Sequence, residues 1–170
     1  MRRKAPAPEG AKPGVAIPIG GLGRCRIGII RAEFNAELTE SLEQSCLEEL
    51  TRAGVPAERI DCFAVPGCFE IPWMAQRLAR RRRGRSRYDV LIGLAVVIRG
   101  DTKHFDLVSS ECARGMMEVM LKHDVPIVFE VLAAFHRRDA VRRASQNRYN
   151  KGLEAAHAAL SLLKILKRSR

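Results

Sequence analysis

The sequence predicts a three-layer α/β/α sandwich around a four-stranded parallel sheet. Four short apolar runs, rich in β-branched residues, are separated by segments with helical periodicity. The runs are apolar throughout rather than alternating with polar residues. Such strands are covered on both faces, which is the mark of a parallel sheet between helical layers. The order β-α-β-α-β-α-β-α-α, with right-handed crossovers, gives a doubly wound arrangement.

Residues 1–23 hold four of the eight prolines and several glycines, with few large apolar side chains. That composition buries too little surface to offset ordering entropy and predicts a flexible tail, leaving 24–170 as the folded domain. Cys25 to Arg31 (CRIGIIR) reads as the first strand. Leu38, Leu42, Cys46, Leu47 and Leu50 fall at helical spacing over 36–53, with Asn35 as N-cap and Gly54 at the C-terminal end. Ile60 to Val65 is the second strand, broken by Pro66-Gly67, and a helix runs from about Ile71 into an arginine run. Tyr88 to Ile98 is the third strand, Phe105 to His123 a helix, and Val125 to Ala133 the fourth strand. Helices over about Arg137–Ala144 and Asn150–Lys167 close the chain.

With 170 residues, 46% of them hydrophobic, the chain can bury one proper core. Thirty Lys+Arg against nineteen Asp+Glu leave +11, which favours anionic partners and says nothing about fold. Five cysteines (25, 46, 62, 68 and 112) form no C-x-x-C pair and no cluster with metal spacing. An odd, scattered set fits buried thiols in a reducing compartment. No apolar run has bilayer length, and the basic start MRRKAPAPEG lacks the apolar stretch of a signal peptide. A cytoplasmic protein without membrane association, metal or cofactor is expected.

Ligands of open parallel sheets bind beyond the carboxyl ends of the strands. Four segments follow those ends: 32–35, 66–70, 99–104 and 133–136. Phe34, just past a strand, suits stacking on a planar ring or simple capping of the sheet edge. Pro66-Gly67-Cys68-Phe69-Glu70 is a tight turn that offers a ring and a carboxylate near a helix start. In Arg99-Gly100-Asp101-Thr102-Lys103-His104, backbone amides near Asp101 and Thr102 can hold a phosphate, and His104 suits proton transfer near neutral pH. The run Arg80 to Arg87 is either a nucleic-acid patch or a solvated face at a helix end. Without interleaved aromatics the second reading is preferred, so no nucleic-acid partner is expected.

In combination these segments are specific. VPGCFEIP at 65–72, VVIRGDTKHFDLV at 96–108, VPIVFEVL at 125–132, Arg143 and NKGLEAA at 150–156 resemble the lumazine synthase family in content and order. The resemblance covers roughly residues 25 to 165 and implies a flavodoxin-like fold and a transferase of riboflavin biosynthesis. It further implies 6,7-dimethyl-8-ribityllumazine synthase activity, which condenses 5-amino-6-(D-ribitylamino)uracil with 3,4-dihydroxy-2-butanone 4-phosphate. By position it assigns Phe34 to stacking on the pyrimidine and Cys68, Phe69 and Glu70 to the pyrimidine and its ribityl chain. Val96, Val97 and Ile98 would read the ring edge, Asp101 and Thr102 would meet the ketose phosphate, and Arg143 would clamp it. His104 takes the proton-transfer position, while Phe129 and Lys151 complete the pocket. The resemblance implies a homo-oligomer with sites shared between adjacent subunits of a pentamer, and riboflavin synthase as a partner.

The chain departs from the usual family pattern with Glu130 in place of Gly, Ala133-Ala134 in place of Thr-Thr, and a changed loop at 145–150. The loop is not lengthened, which leans toward an icosahedral shell over a pentamer or decamer. The departures also keep a second reading open, a paralogue that serves as a shell, scaffold or ligand-binding protein. Joint retention of Phe34, Glu70, His104, Arg143 and Lys151 favours the enzyme.

Overall fold

The computed structural model describes residues 2–4, 22–80 and 86–168. Strands β1 (Arg2–Lys4), β2 (Ile27–Ala32), β3 (Ile60–Val65), β4 (Val90–Ile98) and β5 (Ile127–Ala134) form one sheet in the order β1-β3-β2-β4-β5. The last four are mutually parallel, which is the flavodoxin-like arrangement. Helices α1 (Ala36–Arg52), α4 (Arg137–Ala144) and α5 (Lys151–Arg168) cover one face. The opposite face carries α2 (Ile71–Ala79) and α3 (His104–His123).

Strand alternation divides the core. Ile27 and Ile29 of β2, with Val90, Ile92, Leu94 and Val96 of β4, pack under Leu42, Cys46 and Leu50 of α1 and the small residues of α5. Ile30 and Ala32, with Leu91 and Ala95, pack under Ile71 and Ala75 of α2 and Cys112 and Met116 of α3. Both faces of the central strands are therefore dry, as uninterrupted apolar runs require.

The expected sheet is present and is extended by a fifth strand. Arg2–Lys4 pairs antiparallel with β3, Arg2 opposite Phe63 and Lys4 opposite Asp61. An unpaired strand edge offers a ladder of donors and acceptors that any short extended segment can satisfy, so composition gives no sign of it. Leu22, just ahead of the first parallel strand, is also buried. Residues 5–21 of the expected tail and 81–85 of the arginine run lie outside the described residues. All five cysteines are buried. Trp73 is 57% exposed beneath the Arg77 guanidinium, 5.3 Å from the ring centroid.

At the amino ends of the strands, buried Asp61 accepts hydrogen bonds from the Tyr88 hydroxyl (2.8 Å) and Arg26 Nη1 (2.9 Å). A carboxylate this deep needs such partners. These contacts lock the edge opposite the loops where ligands bind.

Helix α5 reaches α1 through Gly152, where a Cβ would lie 1.9 Å from the Leu42 carbonyl oxygen. Neither backbone can yield without shifting a helix. Asn150 fixes this approach: its Nδ2 donates to Ala144 O (2.9 Å) and Ser145 O (3.0 Å), and its Oδ1 accepts from Gly152 N (2.8 Å). Gly152→Ala is expected to destabilise the fold by about 3 kcal/mol or more, beyond ordinary overpacking. Gly23→Ala, which meets nothing within 4 Å, is its control. Equal thermal melting of the two variants would contradict this account.

Candidate functional site

The carboxyl ends of β2, β3 and β4 and the start of α3 enclose a cavity of about 650 Å3. Its wall includes Phe34, the turn Gly67–Glu70, the strand end Val96–Ile98, Gly100, Thr102 and the α3 residues His104, Phe105 and Val108. Three stretches far apart in sequence, 32–34, 67–70 and 96–108, thus meet at one sheet edge.

Each segment is held by identifiable bonds. Past β2 the chain stays attached to the neighbouring strand, Glu33 N donating to Val65 O (2.8 Å) and Phe34 N to Pro66 O (3.1 Å). This holds Phe34 beside the Pro66-Gly67 turn with its ring 71% exposed and free to meet a ligand. Asn35 occupies the N-cap position of α1 in the left-handed region (φ 58°), yet its side chain makes no capping bond. Nδ2 instead donates to Val96 O at 2.9 Å and ties the first loop to the end of β4. Asparagine tolerates this conformation better than other residues with a Cβ.

The Gly67 turn closes on itself, the Glu70 carboxylate accepting from Gly67 N at 2.9 Å. The turn then continues as a short 3-10 segment, Cys68–Glu70, into α2. It points Phe69 outward, 59% exposed, while Cys68 packs inward against α3 with its Sγ 3.8 Å from Val108 O. Beneath it, the hydrogen bond with Cys68 and then burial push the Cys112 thiol up, so that it stays protonated.

Strand β4 outruns its pairing with β2, which ends at Arg31–Leu94. Val96–Ile98 therefore extend past the ladder on that side, with Val96 O taken up by Asn35. The following turn leads into α3, whose N-cap, Lys103, makes no side-chain capping bond. First-turn amides of this 20-residue helix face the turn at Thr102, and Thr102 Oγ1 accepts only a long bond (3.4 Å) from His104 N. An uncapped helix start of this kind favours an anion.

Of the residues singled out from the sequence, Phe34, Cys68, Phe69, Glu70, Val96, Val97, Ile98, Thr102 and His104 line this cavity. Asp101 belongs to the same turn but not to the wall. Phe129, Arg143 and Lys151 are not brought to it within one chain. Phe129 is 41% exposed on edge strand β5, opposite Gly93. Arg143 lies in the last turn of α4, and Lys151 begins α5 with its Nζ on the Glu154 carboxylate. The sequence reading missed Ala32, Gly67, Gly100, Phe105 and Val108 as wall residues. Val108 follows from helical geometry, four positions beyond His104 and three beyond Phe105.

Glu130 lies on the β5 face that packs against α4 and α5, between Val128 and Leu132. Burial pushes its carboxyl up to about 7, with Lys151 and Arg143 pulling the other way and Glu154 adding to the rise. Among the described residues there is no group of three or more His, Cys, Asp or Glu placed to hold a metal ion, and no helix is long and apolar enough to cross a membrane.

Residues 24–167 match the family model described as 6,7-dimethyl-8-ribityllumazine synthase. A protein of that name from Methylibium petroleiphilum is 41% identical over 141 residues, 83% of either chain. Its counterpart in Coxiella burnetii is 38% identical over 142 residues, covering 84% of this chain and 91% of its own. Another in Clostridium kluyveri is 37% identical over 142 residues, 84% of this chain and 90% of that one. The match runs from before the first parallel strand into the last helix and takes in every segment of the cavity wall, so the chain belongs to the 6,7-dimethyl-8-ribityllumazine synthase family.

Proposed function

We propose that the protein is the transferase that condenses 5-amino-6-(D-ribitylamino)uracil with 3,4-dihydroxy-2-butanone 4-phosphate to 6,7-dimethyl-8-ribityllumazine. The observation that carries this is the convergence of Phe34, the Cys68-Phe69-Glu70 turn, the Val96–Ile98 strand end and His104 on one cavity. Its volume lies in the range of small-molecule sites.

Phe34 stacks on the pyrimidine, and the turn at 68–70 holds the ring and its ribityl chain. Backbone groups at Val97 and Ile98 read the ring edge. Thr102, Asp101 and the uncapped start of α3 receive the phosphate of the ketose. The substrate amine attacks the ketose carbonyl and water leaves to give an imine. Phosphate is then eliminated, the chain tautomerises, and ring closure expels a second water. His104 moves protons between the reacting oxygen and nitrogen atoms. Most of the acceleration comes from holding two reactants together, which is worth roughly 7–11 kcal/mol in favourable cases.

Phe129, Arg143 and Lys151 act in trans. In a homo-oligomer, with the pentamer as its unit, these residues complete the cavity of an adjacent subunit. Their position away from the cavity of their own chain supports this reading. An unlengthened loop at 145–150 suits further assembly into an icosahedral shell. The product feeds riboflavin formation, with riboflavin synthase as the downstream partner, and five buried, scattered cysteines suit the cytoplasm.

The direct test is to mix the purified protein with both substrates and follow lumazine absorbance, with native mass measured in parallel. No product from a folded oligomer would favour the scaffold reading. His104→Ala is expected to lower kcat by about 10²–10⁴-fold while leaving measurable turnover, since proton transfer is only one contribution. Arg143→Ala should raise KM for the ketose phosphate and leave KM for the pyrimidine near its parent value, because it removes a charge-assisted contact. An unchanged ketose phosphate KM would show that Arg143 is not the clamp.

A further inference from the structure

We propose that the outer face of α2 binds single-stranded nucleic acid. Trp73 stacks on a base, and Arg77, Arg80 and Arg87 meet phosphates. None of these residues belongs to the cavity, and binding there is separate from lumazine formation.

In sequence the arginine run has no aromatic interleaved with it, but the helix before it supplies one. Trp73, Arg77 and Arg80 recur at i, i+4 and i+7 and are all exposed, so they form one outward stripe. At 1.5 Å per residue the stripe is about 10 Å long. The Arg77 guanidinium lies over the Trp73 ring, 5.3 Å from its centroid, and still leaves the residue 57% exposed. Arg87 extends the surface beyond the helix. It is 51% exposed, with its guanidinium 5.7 Å from the ring centroid of Tyr88, which shares a core cluster with Ala75 and Ala79 of α2. Between Arg80 and Arg87 the sequence adds Arg81, Arg82, Arg83 and Arg85.

The cations are uncommitted. Arg77 and Arg80 make no ion pair with any described residue. Arg87 reaches Asp61 only at 3.7 Å, and that carboxylate already accepts from Arg26 Nη1 at 2.9 Å. On the neighbouring helix α3, Glu111 and Glu118 are both taken by Arg114. The macrodipole accounts for arginines at the end of α2, but it does not account for an uncovered indole. An acidic protein would need only the charges. A ring beside a guanidinium fits an unpaired base, whose face a single strand offers and a duplex hides. A homo-oligomer repeats the surface on each subunit, so one long strand can engage several at once.

Trp73 is the sole tryptophan of the chain, so its emission reports on this surface directly. The test titrates the parent oligomer with a short oligouridylate and follows both tryptophan emission and oligonucleotide anisotropy. Quenching and anisotropy are expected to share one midpoint, and binding should weaken steeply as salt rises. Arg80→Ala should lower the salt slope by about 0.7, the value for one phosphate contact on a single strand. Trp73→Ala should weaken oligouridylate binding roughly five- to a hundredfold and leave heparin, a polyanion without bases, at the parent affinity. Trp73→Tyr should recover most of that loss, and thermal melting at the parent temperature shows that each variant folds. Absence of oligouridylate binding at low salt, binding without quenching, or an equal loss for heparin overturns the proposal. So does tighter binding of a duplex, or emission that responds to phosphatidylglycerol vesicles and not to oligouridylate. An indole shielded from acrylamide in the parent oligomer also overturns it, because a second copy would then cover the surface.

Discussion

The parallel ladder centred on β2 and β4 is the constraint on which the rest of the molecule depends. Parallel pairing sends every strand out at the same edge, so the loops after β2, β3 and β4 have to meet there. Register adds a second restriction. Because β4 outlasts its pairing with β2, its last residues stand beyond the ladder and Asn35 can bind across the gap. The position of the Phe34 ring follows from that bond and from the two backbone bonds to the end of β3. The aromatic ring, the turn and the start of α3 are therefore parts of one rigid rim.

The two ends of the sheet divide the work. Asp61, Arg26 and Tyr88 satisfy one another at the amino ends and leave little for a ligand. At the carboxyl ends the polar groups are less committed: an exposed ring, an uncapped helix and a histidine on the surface. Glu130 belongs to neither set.

Much of this was legible in the sequence. The four parallel strands could be read because burial on both faces leaves uninterrupted apolar runs, as in Tyr88 to Ile98. The cavity wall could be read because each loop carries turn chemistry and reactive groups together, as in the Gly100 to His104 segment. Three features could not. The pairing of Arg2–Lys4 depends on a vacant edge, which leaves no pattern in the segment that fills it. Asn35 has the composition of a cap, and only tertiary geometry turns its side chain toward Val96. Trp73 has the size of a core residue, but it sits on the outer side of α2 beneath Arg77. Phe129, Arg143 and Lys151 form a separate case. The resemblance points to them, while one chain by itself leaves them away from the cavity.

The cavity wall is drawn from three stretches of chain separated by entire strands and helices, and this has a thermodynamic consequence. No fragment of the chain and no partly unfolded state presents the whole wall. A ligand therefore has affinity only for the native molecule, and by mass action occupancy adds roughly 2.7 kcal/mol of resistance to unfolding at a hundredfold excess over Kd. Metabolite supply and protein lifetime are coupled in such a molecule: an enzyme starved of substrates is also one more easily lost to proteolysis.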